Sequence, residues 1–257
     1  MPANSFVWYE LITSDAEAAK AFYGKVVGWD MRDAGVPGMS YNILSAGGIE
    51  MGGLMGMPPE QCEAWDRPGW LGYIEVEDVD KAAEKVTAAG GAILRAPDDI
   101  PNIGRFAVAA DNQGAGFILF CPKQGIANTS TAPQRAPGHV SWHSLFAGDE
   151  KGAFDFYSGL FGWTETDQMD CGPMGIYRIF ATGGEEPAGG MMTKPPAVPA
   201  PFWLFYINVD DIDAAKARIE EAGGTVVMGP DPVPGGCFIL HGVDPQGADF
   251  AVVGPRG

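Results

Sequence analysis

Histidine is scarce in this chain, and cysteine is scattered. The 257 residues include three histidines, His139, His143 and His241, all in the second half. Their spacing matches no recognised metal motif, so a histidine-based metal site is not expected. The four cysteines, Cys62, Cys121, Cys171 and Cys237, lie far apart and form no CxxC. Free thiols in a reduced, cytoplasmic setting are the simplest expectation. Basic residues are few: 16 Lys and Arg stand against 33 Asp and Glu, for a net charge of −17. Such a surface repels phosphate backbones, so no nucleic-acid partner is expected. No run of about 18 apolar residues occurs, which leaves no expected membrane span or membrane partner. The start, MPANSFVWYE, lacks a basic patch followed by an apolar core, so no signal peptide is expected. The glycine pairs follow no phosphate-loop pattern, and no nucleotide site is expected.

What is present is a repeat. Trp8, Asp15, Phe22-Tyr23 and Gly28-Trp29 recur 134 residues later as Trp142, Asp149, Phe156-Tyr157 and Gly162-Trp163. The chain therefore reads as a tandem duplication. In each copy a β-rich run such as FVWYELIT leads to an Asp that suits a helix N-cap. The helix that follows carries an apolar face through Ala18, Phe22 and Val26, and Gly28 ends it. The aromatic pairs are expected to pack helix against sheet.

Further along, MRDAGVPGM reads as a loop and YNILSAG as a strand. IEMGGLMGM reads as a glycine-rich strand where something approaches the backbone closely. Residues 58–69 read as a loop. WLGYIEVED is a strand, and Asp78 caps a helix that stops at Gly90-Gly91. AILRA is a short strand, PDDIPNIG a loop, and RFAVAADNQGAGFILFCP a hairpin. FWLFYINVDDIDAAKARIEEAGG and VDPQGADFAVVGP repeat these segments at an offset of 133. The result is four βαβββ-like modules in an α+β chain. Residues 1–122 form the first expected domain, 123–137 a linker, and 138–257 the second.

This pattern resembles the vicinal oxygen chelate superfamily, which includes glyoxalase I, bleomycin-resistance proteins and extradiol dioxygenases. The resemblance rests on Asp15, Phe22-Tyr23, Gly28-Trp29, Val76, Asp78-Val79-Asp80 and Asp111 to Gly114, each with a second-half partner. Trp8-x-Glu10-Leu11, Gly52-Gly53-Leu54-Met55 and Ile100-Pro101 to Phe106 look like a two-domain bacterial glyoxalase-like subgroup, some of whose members are labelled hydroxylases. The resemblance implies modules that pair into cup-shaped domains, with His and Glu ligands holding a divalent metal. Transferred one at a time, those ligand positions fall at Trp8 and Trp142, near Gly53 and Gly190, at Leu71 and Leu204, and at Ile118 and Ala251. None of these can coordinate a metal, so neither a metal nor another cofactor is expected.

Strand alternation then sets the expected cup lining. Trp8, Glu10, Tyr73, Glu75, Trp142, Ser144, Tyr206 and Asn208 face inward as candidate ligand-binding residues. Glu10 and Glu75 are the candidate catalytic carboxylates, should a reaction occur. Aromatic walls with a carboxylate suit a small organic molecule, aromatic or cationic. Arg105 is a further candidate, as a clamp for an anionic group. The expected function is small-molecule binding without the family metal. The first alternative is a metal-dependent lyase or oxygenase with displaced ligands, so enzymatic activity stays open. The second is an interaction module whose cups are plugged. The duplication supplies its own pseudo-two-fold, so both a monomer and a homodimer are compatible with the sequence.

Overall fold

The computed structural model describes residues 4–57, 68–124, 133 and 135–257. The first module comprises β1 (Phe6–Thr13), α1 (Ala16–Val27), β2 (Asp30–Asp33), β3 (Ser40–Ala46) and β4 (Ile49–Gly56). The second comprises β5 (Gly69–Glu75), α2 (Val79–Ala88), β6 (Ala92–Ile100), β7 (Gly104–Ala110) and β8 (Gly116–Pro122). In the third, β9 (Val140–Ala147) and α3 (Glu150–Phe161) precede β10 (Thr164–Asp170), β11 (Ile176–Ala181) and β12 (Gly189–Thr193). In the fourth, β13 (Phe202–Asn208) and α4 (Ile212–Glu221) precede β14 (Thr225–Val233), β15 (Cys237–Val243) and β16 (Asp249–Gly254). This is a mixed α+β fold of four βαβββ modules. Strands β1–β8 belong to one eight-stranded sheet and β9–β16 to another. Among the described residues, no helix is long and apolar enough to cross a membrane.

Each module repeats one local logic. The capping Asp15, Asp78, Asp149 and Asp211 each accept a backbone N–H from the first turn of the helix they start. Gly28 and Gly162 end α1 and α3 in the left-handed region, with φ of 75° and 69°, where a side chain would add strain. The chain then returns through an antiparallel meander whose last strand lies parallel to the first, as β4 does to β1 and β12 to β9.

Two expectations need correction. The stretch after Trp29 is not all loop, because residues 30–33 form β2 against β3. The short strand expected at AILRA continues to Ile100 as β6. Pro97 is tolerated there because β6 ends its sheet and its register shifts between Arg95 and Asp98, so the missing N–H breaks no ladder bond. The expected loop at 58–69 lies outside the described residues over 58–67, which include Cys62. The expected linker at 123–137 lies outside them over 125–132 and 134. Cys121, Cys171 and Cys237 are free thiols.

The described residues divide into two compact units, and each draws on both halves of the chain. One unit holds the described residues of 8–57, 68–70, 133, 135–142 and 204–257, which is essentially the first and fourth modules. Here Phe22 of α1 packs edge-on to Phe250 of β16, with ring centroids 5.5 Å apart. Tyr23 donates its hydroxyl to Asp244 Oδ2 at 3.1 Å and accepts from the Trp70 indole at 3.1 Å. Arg218 of α4 donates to the Val26 carbonyl at 2.9 Å, and Trp29 donates to the Gly138 carbonyl at 2.7 Å.

The other unit holds 4–7, 71–124 and 143–203, essentially the second and third modules, and uses the same parts. Tyr157 donates to Asp111 Oδ2 at 3.2 Å and accepts from Trp203 at 2.9 Å. Its ring stacks on Trp163 at 5.1 Å. Gln113 accepts from the Asp149 N–H and donates to the Asp149 carbonyl, at 2.7 and 2.9 Å. The repeated Phe-Tyr and Gly-Trp signature therefore packs the helix of one half against strands of the other. Asp111 and Asp244 also accept N–H groups of their own turns, so one carboxylate ties a turn to a helix.

Candidate functional site

Each module has one sheet face that carries the helix and one that does not. Parity along β1 sets the two apart. Tyr9 meets Phe205 edge-on at 5.2 Å on the helix-bearing side, so Trp8 and Glu10 stand on the other. Register places Glu10 opposite Gly53 of β4. Tyr41 of β3 leans over Gly53 and donates its hydroxyl to Glu10 Oε2 at 3.0 Å. A Cβ added at Gly53 would overlap the Tyr41 hydroxyl. This is the close approach that the glycine-rich strand announces. Burial raises the Tyr41 pKa most, the Glu10 carboxylate raises it further, and a hydrogen bond from Trp8 acts the other way. Tyr41 and Glu10 thus form a hydrogen-bonded pair within one unit. Glu10 is 6% exposed.

The third module builds the same arrangement with different chemistry. Ser144 stands opposite Gly190, and Tyr177 of β11 covers that glycine. The two hydroxyls, Ser144 Oγ and Tyr177 Oη, are 2.7 Å apart. A carboxylate in one copy is a hydroxyl in the other.

In the fourth module, Tyr206, Ala251 and His241 form a row across β13, β16 and β15. Tyr206 Oη reaches over the alanine to His241 Nε2 at 2.7 Å. Burial lowers the His241 pKa to about 4, with Asp231 acting against that shift, so the imidazole is neutral near pH 7. In the second module the matching row is Tyr73, Ile118 and Val108. There the Tyr73 ring meets Phe120 edge-on at 5.7 Å.

The remaining candidates are placed as follows. Glu75 is half-buried at the end of β5, where its backbone exchanges hydrogen bonds with Asn4 and Ser5. Trp142 is half-buried on β9. Asn208 accepts from Ser141 and donates to the His139 carbonyl, both at 2.8 Å, which commits its amide to the fold. Arg105 is bound bidentately to Asp80 and also to Asp99, so its guanidinium serves a surface ion network and not an anion clamp. His143 is buried on the helix-bearing side. It stacks on Phe6 at 4.4 Å and holds the Ala188 carbonyl through Nδ1 at 2.6 Å. Sequence reasoning missed Tyr41, Tyr177 and the pairing of His241 with Tyr206. A signal existed, since Tyr41 and Tyr177 are each the second residue of the strand before the glycine-rich one.

These residues do not fit the divalent metal that the resemblance implies. The mapped positions supply Trp, Gly, Leu, Ile and Ala, and tyrosines close over both glycines. Among the described residues, no three His, Cys, Asp or Glu side chains group as a metal would require.

Comparison with known proteins agrees with the fold. The family model described as Glyoxalase/Bleomycin resistance protein/Dioxygenase superfamily matches residues 5–119 and again 136–252. CFP32 of Mycobacterium tuberculosis, provisionally named a glyoxylase, is 34% identical over 251 residues, 96% of this chain and 94% of that protein. The anthracycline biosynthesis protein DnrV of Streptomyces peucetius is 28% identical over 261 residues, covering 96% and 91%. Among solved structures, the Mn(II)-bound glyoxalase of Novosphingobium aromaticivorans superposes with a TM-score of 0.68 at 16% identity, covering 99% of this chain and 83% of that one. The 2,2',3-trihydroxybiphenyl 1,2-dioxygenase of Sphingomonas wittichii gives 0.69 at 12% identity, covering 98% and 91%. This chain belongs to the glyoxalase/bleomycin resistance protein/dioxygenase superfamily.

Proposed function

We propose that this chain binds a small organic molecule on the helix-free faces of its modules, without the divalent metal of the family's enzymes. The observation that carries the reading is the pair of tyrosines over Gly53 and Gly190. They occupy the space into which a ligand side chain would project, and they turn it into an aromatic surface with a hydrogen-bonding tip. Such surfaces suit organic ligands, because an aromatic wall buries apolar area while a few polar groups set orientation. Trp8 adds to the face that carries Tyr41, and Tyr73 and Tyr206 extend the same chemistry over other helix-free faces. DnrV, a relative along nearly its whole length, is named for the biosynthesis of an organic product, which is consistent with organic-ligand recognition here.

A metal-dependent lyase is the rival reading, and the name of CFP32 favours it. It needs about three nitrogen, oxygen or sulfur donors converging on one point. No such group occurs among the described residues. Elemental analysis of purified, untagged protein before and after chelation separates the two. The expected result is far less than one transition metal per chain, with quenching of tryptophan emission by planar aromatic compounds unchanged by chelator. About one tightly held metal per chain would overturn the proposal.

A further inference from the structure

The hairpin of β10 and β11 gathers sulfur. The chain has 11 methionines and four cysteines, and three of these fall at Met169, Cys171 and Met174. The strands pair as far as Asp170 opposite Ile176, so residues 171–175 make the turn. Cys171 is a free, half-buried thiol. Met169 and Met174 are 37% and 59% exposed, which puts their thioethers at the surface and out of the core. The matching turn of the first half, residues 34–39, holds one methionine, Met39, and no cysteine. We propose that the tip of this hairpin binds a soft monovalent metal ion, Cu(I), through the Cys171 thiolate and the thioethers of Met169 and Met174. The organic-ligand reading above uses none of these three side chains, so the two stand or fall separately.

The backbone of the turn is already fixed. The Cys171 N–H bonds to the Gly175 carbonyl at 2.9 Å, the Met174 N–H to the Cys171 carbonyl at 3.3 Å and the Gly175 N–H to the Gly172 carbonyl at 2.9 Å. Asp170 Oδ1 accepts the Gly172 N–H at 2.8 Å. Gly172 and Gly175 take the positive φ values, 61° and 83°, that so tight a turn requires. This frame sets the reach of each sulfur. Residues two apart in a strand have Cα atoms about 6.6 Å apart, and the first and last residues of a four-residue turn lie within about 7 Å. Cys171 Sγ lies 3.9 Å from the Met169 carbonyl, so the thiol is turned back toward Met169. A methionine has three rotatable bonds, enough to swing its sulfur across that gap from either side. Ordering on binding is then confined to two side chains. Thiolate with thioether is the donor set that selects Cu(I). Zn²⁺ takes several Cys, His or carboxylate ligands, and no group of three such side chains occurs among the described residues. Binding replaces the thiol proton, which passes to solvent, with a sulfur–copper bond and changes no oxidation state. Exposed Asp167 and Asp170 on the same strand favour the approach of a cation.

The test is an anaerobic titration of the full chain with Cu(I), kept reduced by ascorbate, against the coloured competitor bicinchoninate. Cys171→Ser should weaken the tightest site by about 100-fold or more, and Met169→Leu and Met174→Leu by about tenfold each, since even outer-shell changes cost 10–100-fold in metal affinity. Cys237→Ser, a second free thiol, should leave that site unchanged. Excess Zn²⁺ should not displace the copper. In a chain with ¹³C-labelled methionine methyls, the Met169 and Met174 signals should shift with one equivalent of Cu(I), while that of Met39, itself 47% exposed, stays in place. All three substitutions fall on surface side chains, so the variants are expected to fold. Equal affinity in wild type and Cys171→Ser would overturn the inference. So would a Met169→Leu, Met174→Leu double variant that binds as tightly as wild type, because the copper would then sit on a lone thiol. Copper held at this exposed turn is told apart from a metal on the helix-free faces by its loss in Cys171→Ser, so neither result decides the organic-ligand reading.

Discussion

Acid should loosen this protein through His143, and the size of the effect follows from its surroundings. The imidazole is buried against Phe6 and bonded to the Ala188 carbonyl. Burial lowers its pKa to about 4, and the carbonyl bond opposes that shift without cancelling it. In the unfolded chain the same ring titrates near its ordinary value of about 6.5. The folded pKa is the lower one, so the unfolded chain takes up a proton first as pH falls. Stability is intact above about pH 6.5, erodes through the window below it, and has lost the full linkage contribution below about 4. The gap of about 2.5 units corresponds to roughly 3 kcal/mol in total, with about 1 kcal/mol already lost at pH 5.5. His143→Phe keeps a ring against Phe6 and removes the titration. It costs about 1 kcal/mol at pH 7 for the lost hydrogen bond. Urea unfolding of both proteins between pH 7 and 4.5, followed by near-UV circular dichroism, reads the difference. The wild type should lose roughly 2 kcal/mol more than the variant across that range. His241 has a similarly lowered pKa, but it is present in both proteins and cancels. A difference that stays constant with pH would refute the reasoning, since it would place the His143 proton equally in folded and unfolded chains.

Two further outcomes test the packing logic. Tyr157→Phe removes the hydroxyl that reaches Asp111 and that accepts from Trp203, so thermal unfolding should show a loss of about 1–3 kcal/mol. Tyr23→Phe should cost a similar amount in the other unit through Asp244 and Trp70, and a negligible cost in both would show that these bonds are worth no more than water's. Gly53→Ala should destabilise by about 1–3 kcal/mol, because its Cβ displaces Tyr41 from Glu10. Gly69→Ala, with open space around its Cβ, should leave the urea midpoint nearly unchanged, and equal effects at the two sites would refute the close approach of Tyr41.

The modules were legible in the sequence because their signals are local. A capping Asp, an apolar helix face and a closing glycine each act within a turn or two, so a repeat 134 residues away announces itself. The partner of Tyr23 was not legible in that way. Asp244 lies 221 residues on, and nothing near either residue names the other. Its turn-forming role, with Oδ1 accepting from Gln246 and Ala248, was already reason enough for an aspartate. The second oxygen does the long-range work, and a local motif hides it. The same division holds on the helix-free faces. Period-two alternation placed Trp8, Glu10, Ser144 and Tyr206 on those faces, since parity needs only one strand. Tyr41 over Gly53 needs three strands in register, β1, β4 and β3, and register is a property of the whole sheet. The glycines still carried half of that message. A glycine in a strand reports that something comes close, and only the fold reports that the visitor is a tyrosine bonded to a carboxylate. Two copies of one slot have thus kept their geometry and changed their charge, which is where a duplicated scaffold is free to diverge without disturbing its core.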